Sequence, residues 1–574
     1  MLRFHPRLVL LAIMLILCGG LASPTTAQEA TPGEEDAALY DAVLAEQRDA
    51  VLAETVGKLS VYTIDAALDP GPVIPAADSA SPVASPAASP PGAEGGPPEG
   101  GVLATVTGSL DLRYVNDTGS ELSEINLRLY PNDERYGEGG LALENVTVGG
   151  QVVTPELSVT DTVATLSLGQ PLAHGGTTEI SMQFTTTVVQ PQDFFSTMLA
   201  ADPTLGTISL AHWYPILAGY DQETGWVLDP VSIHGDLVFS NTALYDVTVS
   251  TPGNVALATS GTLVSETGAD TVLERRYITG PAREFTAIAD NDFTSIEQEV
   301  DGTTVTVWYN PEHEAGAKAI LSYGTAALRF FNERFGTYPF AALDLVETSM
   351  LGAGGIEYSQ LIGLDTLLFE DPEVQMEQGL PEGLTEYITV HEVAHQWWYD
   401  LVGNNHYAHA FIDEGLSEAS TIVYFDEVYG AEAAERVTLL QLSINYAYLY
   451  ALSGDHAVDH PTNAFPDEQT YFISVYAKGG MGFLAIREQI GEEAFADGLR
   501  LYVEQMRFGV ATPEDLLTAF EEASGQDLSD LWHAWFETAG DRVVIEVELD
   551  VEPEATPDAS PEAATPVASG SDSR

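Results

Sequence analysis

Two histidines four residues apart set the chemistry to be explained: His391-Glu392-Val393-Ala394-His395. They lie within Thr385–Tyr399, fifteen residues free of Pro and Gly, which predicts a helix there. Residues four apart on a helix share one face. Both imidazoles can then reach a single zinc ion, with Glu392 beside it as a general base. Two histidines make half of a tetrahedral site, so a third protein ligand is needed and a fourth position stays open for water. After His395 come eighteen residues and then Glu414, in Phe411-Ile412-Asp413-Glu414-Gly415-Leu416-Ser417-Glu418. The predicted centre is one Zn2+ per chain on His391, His395 and Glu414.

HExxH, eighteen residues, then Glu resembles the signature of the gluzincin aminopeptidases, the aminopeptidase N-type zinc metallopeptidases. By motif and segment order the resemblance covers roughly Lys58 to Gly540 and is strongest from Gly352 to Gly480. It implies an α+β chain, in which an N-terminal all-β, saddle-like domain precedes a thermolysin-like, mainly helical catalytic domain. It also implies that Glu392 takes a proton from water and passes it to the leaving amine. Tyr476, in Tyr476-Ala477-Lys478-Gly479, matches the family tyrosine whose hydroxyl donates to the oxyanion; Tyr471 is the fallback. Gly354-Gly355-Ile356-Glu357-Tyr358 resembles the exopeptidase motif Gly-x-Met-Glu-Asn, with Ile for Met and Tyr for Asn. As an edge strand it would pair with substrate backbone, with Gly354, Gly355 and Glu357 as substrate-binding residues and Glu357 meeting a free ammonium. A metal-bound imidazole usually donates its other N–H to an oxygen. Glu418, one turn past Glu414, fits that place behind the first histidine, and Asp413 stands where many members have Asn.

These residues need elements to hold them. The first 27 residues read as a signal peptide: Arg3 and Arg7, the apolar run Leu8–Leu17, then small residues. Residues 28–57 form an N-terminal helical segment, with Glu34–Thr55 expected as one solvated helix. Residues 58–300 carry short β-like runs separated by turn clusters, such as 110–115, 124–130, 178–184 and 245–250, and read as the all-β domain. Within it, 69–101 is rich in Pro, Ala, Ser and Gly and is expected to be a long disordered loop inside a hairpin. The pattern changes at Val300-Asp301-Gly302, and 301–545 is expected to be the peptidase domain. Its helical segments include 312–335, 431–453, 476–490, 492–506 and 513–523, and Val543–Val551 is its last strand. The tail 552–574 is expected to be disordered.

Lys and Arg total 20 against 87 acidic residues, a net charge of −67. Binding phosphate needs clustered cations, so this balance excludes nucleic acid and anionic membrane surfaces as partners. No apolar run after the signal is long enough to span a bilayer. Cys18 is the one cysteine; it is either discarded with the signal or serves as a lipid anchor at the cell surface, and the mature chain has no disulfide. No Gly-x-Ser-x-Gly elbow is present, and the Gly-rich 352–355 lacks the Lys-Ser/Thr of a phosphate loop. Trp397 and Trp398 are expected in the core; His406, His409, His456 and His460 are expected at the surface. The expected protein is a secreted zinc aminopeptidase acting on peptides. Its rivals are an endopeptidase on the same fold and a non-catalytic peptide-binding protein.

Overall fold

The computed structural model describes residues 34–74, 101–221, 224–235, 239–269, 271–377 and 379–540. The predicted signal peptide with Cys18, most of the loop 69–101, the strand Val543–Val551 and the tail 552–574 lie outside the described residues.

Alternating sequence builds an eight-stranded sheet in the first half of the chain, in the order Thr262–Ala269, Val272–Ala282, Ala243–Pro252, Val61–Asp69, Ala104–Val115, Thr177–Val188, Gly140–Val148, Gln151–Val152. In Val61–Asp69, Ile64, Ala66 and Leu68 point into the core while Thr63, Asp65 and Ala67 face out, the period of two that a half-buried strand requires. This strand runs antiparallel to Ala104–Val115, with Leu68 opposite Val106 and Asp69 opposite Thr105. The Pro- and Ala-rich stretch therefore joins two paired strands of one hairpin. Two four-stranded sheets and the two-stranded pair Tyr220–Asp221 and Gly225–Trp226 complete the described part, whose core includes Trp213, Tyr214 and Tyr245.

A five-stranded sheet follows, ordered Thr294–Val300, Thr303–Tyr309, Ala342–Thr348, Leu361–Asp365, Gly355–Tyr358. Its first strand lies ahead of the boundary expected at 300/301. Asp301 and Gly302 have φ of 52° and 94°, and Val300 pairs with Thr303. The Asp-Gly punctuation is thus a tight hairpin turn inside the sheet, as expected for two central residues with positive φ. The long helix Glu314–Phe335 makes the crossover between the parallel strands Thr303–Tyr309 and Ala342–Thr348. Gly355–Tyr358 is the outermost strand, antiparallel to its only neighbour in that sheet.

Glu34–Thr55 is not one solvated helix. It breaks into Glu34–Leu39, a short turn at Tyr40–Ala42, and Arg48–Thr55. Tyr40, Ala42, Val43 and Val51 are fully buried. Backbone bonds from Leu44 N to Pro339 O (2.8 Å) and from Ala341 N to Ala42 O (2.8 Å) dock the segment on the five-stranded sheet. Its apolar residues do not fall on a single helical stripe, so burying them requires the break.

The helices after residue 380 pack around Trp397, Phe411 and Phe483. No described helix is long and apolar enough to cross a membrane.

Candidate active site

The histidine helix runs Leu384–Ala394, shorter than the expected Thr385–Tyr399. It gives way to turns from His395, and beyond its end Trp397 and Trp398, adjacent in sequence, are both buried and anchored in different places. Trp397 Nε1 donates to Gly336 O and Trp398 Nε1 to Ser420 Oγ, each at 2.9 Å. The Glu414 helix spans Phe411–Tyr429 and packs against the histidine helix. The segment around Tyr476 starts earlier than expected, with helix Glu468–Phe472, a π-helical turn Ile473–Lys478, and helix Gly479–Ile490. Such single π turns shift side-chain phase and recur at functional sites.

These elements bring three ligand atoms together. His391 Nε2 and His395 Nε2 are 3.1 Å apart, and each lies 3.4 Å from Glu414 Oε2. Ligands about 2.0–2.1 Å from a tetrahedral zinc stand about 3.3 Å from one another, so the triangle matches zinc. All three residues are at least 94% buried, and among the described residues no hydrogen bond is made to Glu414 Oε2, leaving a buried lone pair that a cation would take.

The outward atoms hold the ligands in orientation. His395 Nδ1 lies 3.1 Å from Trp398 O. His391 Nδ1 lies 3.5 Å from Glu418 Oε1, and the Tyr387 hydroxyl donates to Glu418 Oε2. Both Nε2 atoms face Glu414 Oε2. Burial pushes the His395 pKa down, but Glu357, Glu414 and Glu392 overcome this and hold it well above its usual value. Burial likewise opposes charge on His391, and Glu414 and Glu418 reverse it. Burial would raise the Glu414 carboxyl, yet the two imidazoles hold it well below the carboxylate range. Positive charge is favoured at this point, carried by protons or by a metal that displaces them.

On the edge strand, Ile356 and Tyr358 face one way and Gly355 and Glu357 the other. A Cβ at Gly355 would fall 2.6 Å from the Glu392 side chain, and one at Gly354 would fall 2.7 Å from Ile388 Cδ1. Two residues without side chains therefore let the strand lie directly on the histidine helix. Glu357, Glu392 and His395 each offer an atom within 4.8 Å of the others, and both carboxylates are 5% exposed.

Tyr476 stacks on His391 at a 14° interplanar angle, and its hydroxyl donates to Glu414 Oε1. Tyr471 is fully buried and stacks instead on His234. Asp413 does not back a metal ligand: its Oδ1 accepts from Glu414 N (2.8 Å) and its Oδ2 lies 2.9 Å from His406 Nε2. One step along the helix from Glu414 is about 100° of rotation, which turns Asp413 away from the centre. His406, expected at the surface, is 3% exposed for that reason. His409 pairs with Asp459 at 2.5 Å, His456 with Ser453 Oγ at 2.9 Å, and His460 packs on Phe465. Sequence reading missed Tyr387 and the Trp398 carbonyl. Tyr387 stands four residues before His391, a helical spacing that puts it on the ligand face; the carbonyl leaves no side-chain signal.

Residues 320–535 match the peptidase family M1 domain. Aminopeptidase M1-A of Oryza sativa subsp. japonica is 27% identical over 248 residues, 42% of this chain and 28% of that protein. A mutant of the M1 zinc metallopeptidase from Deinococcus radiodurans superposes with a TM-score of 0.57 at 17% identity, covering 84% of this chain and 95% of that one. The same comparison holds, at the same TM-score, for that mutant bound to a Tyr-Ser-Ala substrate. The shared fold is the β-rich part followed by the helical part described above. The similarity to peptidase family M1, the gluzincin aminopeptidase family, thus lies in residues 320–535, the part that carries the two histidines, Glu414 and Tyr476. The chain spans about a quarter to a third of the length of the curated relatives it matches, at 28%, 26% and 35%.

Proposed function

We propose that this protein is a zinc aminopeptidase that removes N-terminal residues from peptides, with one zinc per chain on His391, His395 and Glu414. The observation that carries this reading is the edge strand laid against the histidine helix, which brings Glu357 beside Glu392 and His395. Zinc in this site supplies a Lewis acid that lowers the pKa of water toward neutrality. Glu392 takes the proton of the attacking water and returns it to the leaving amine. The substrate backbone extends the sheet along Gly355–Tyr358, and Glu357 pairs with the free N-terminal ammonium. Tyr476 then donates its hydroxyl to the developing oxyanion, where a preorganised donor lowers the barrier most. Glu418, held by Tyr387, orients His391.

The names of the curated relatives and the peptide-bound family structure support a peptide substrate. Secretion is part of the proposal and rests on the basic start, apolar run and small residues of the first 27 positions, with lipid attachment at Cys18 as the alternative route to the cell exterior. The test is cleavage of a free peptide and its N-acetylated twin by zinc-loaded protein. Acetylation should lower kcat/KM at least about a hundredfold, and Glu357→Ala should erase most of that difference. Equal cleavage of the two peptides would assign an endopeptidase, and bound zinc without hydrolysis of either would assign a binding protein.

A further inference from the structure

Arg283 and Glu284 follow the strand Val272–Ala282 of the eight-stranded sheet and are 2% and 0% exposed. Their polar atoms reach across to the peptidase part. Glu284 Oε1 accepts from Ser359 N at 2.6 Å, and Oε2 accepts from the Tyr399 hydroxyl at 2.5 Å. Arg283 N donates to Ser359 Oγ at 2.9 Å. Its guanidinium donates to the carbonyls of Tyr399, Ser240 and Gly509. A Cβ on Gly403 would lie 2.2 Å from Arg283 Cζ, so the chain at Gly403 closes on the guanidinium.

Ser359 is the first residue past the edge strand, and Tyr399 is four residues past His395. The next residue, Gln360, is 1% exposed with φ of 63°, a conformation that non-glycine residues hold only when their surroundings impose it. Here Gln360 N donates to Gln396 Oε1 (3.1 Å), Gln360 Nε2 donates to Thr279 O (2.9 Å), and Gln396 Nε2 donates to Tyr358 O (3.1 Å). The hairpin tip is thus tied on one side to the end of the histidine helix and on the other to the β-rich part.

The edge strand needs such an anchor. It pairs with one neighbour over four residues, and its glycines give it no side chain to lock against the helix. We infer that Arg283 and Glu284 are positioning residues: through Ser359 and Tyr399 they fix the edge strand over the histidine helix and so set where Glu357 stands relative to the metal centre. The inference rests on reading Glu357 as the ammonium-binding carboxylate.

The test uses zinc-loaded wild type, Glu284→Gln and Tyr399→Phe, with kcat and KM for a free peptide and its N-acetylated twin, zinc content and Tm. In Glu284→Gln the KM of the free peptide should rise about tenfold, as expected for a binding group moved by a fraction of an ångström. The rate on the acetylated peptide and the zinc content should hold within about twofold. Tyr399→Phe removes one hydroxyl and no charge and is the milder of the two changes, with Tm as its check of folding, and its free-peptide KM should rise about threefold. Equal losses on both peptides, or unchanged free-peptide KM in folded Tyr399→Phe, would overturn the positioning role. Failure of wild type to discriminate between the peptides would instead overturn the Glu357 reading on which it rests.

Discussion

Gly355→Ala separates catalysis from stability at this site. The added Cβ would sit 2.6 Å from the Cγ, Cδ and Oε1 atoms of Glu392, where ordinary contact begins near 3.4 Å. About 0.8 Å must open between the strand and the carboxylate. The cheaper response is rotation of Glu392, because its side-chain end is flexible while the strand is hydrogen-bonded to Leu361–Asp365. An off-rotamer side chain costs about 0.5–1.5 kcal/mol, a fall in Tm of only a few degrees for a domain of this size. The same displacement moves a general base by nearly 1 Å, which costs on the order of a hundredfold in rate, or about 2.7 kcal/mol in the barrier. The assay is kcat on a free peptide, with zinc content and Tm measured on the same preparation. Gly354→Ala is the control, because its Cβ meets Ile388 Cδ1 at 2.7 Å rather than the base. Full turnover in Gly355→Ala, or an equal loss in both variants, would refute the claim that glycine is needed there to leave Glu392 in place.

Glu392→Gln should retain zinc, read by metal analysis, while turnover falls at least about a thousandfold, since the base is removed and every ligand remains. Tyr476→Phe should lower kcat more than it raises KM, because the donor acts on charge that develops in the transition state; full activity would refute the oxyanion role of Tyr476. Asp290 offers a pH test remote from the metal. Burial raises its carboxyl from 3.8 to about 7, so the folded state keeps a proton that the unfolded state has lost, and stability falls as pH rises from about 4 to about 7. Asp290→Asn should therefore raise Tm at pH 8, with the gain shrinking toward pH 4; a pH-independent effect would contradict the assignment.

Local periodicity made much of this chain legible. Residues four apart on a helix share a face whatever surrounds them, so His391 and His395 could be paired from sequence, and Glu418 and Glu414 placed on one side of the next helix. Alternation likewise marks Leu59–Leu68 and Thr303–Tyr309 as strands, since facing a core on one side imposes a period of two, and the structure has the first at Val61–Asp69. The same local logic misread Asp301-Gly302, because a tight turn looks alike within a sheet and between domains.

Which faces meet was decided only by tertiary packing. The sequence put eighteen residues between His395 and Glu414, but the 3.4 Å spacings to both imidazoles exist because one buried helix packs against another. Asp413 and His406 had no visible reason to pair until rotation about the Glu414 helix aimed Asp413 away from the metal. Tyr471 and Tyr476 share a sequence context, and the π turn at Ile473–Lys478 gave one to the core and the other to Glu414. Nothing in the local sequence pattern singles out Arg283 and Glu284. Only docking of the two parts buried them against Ser359 and Tyr399, 75 to 116 residues away. A sequence fixes the faces each element presents, whereas contacts over such separations depend on the free energy of packing the whole chain.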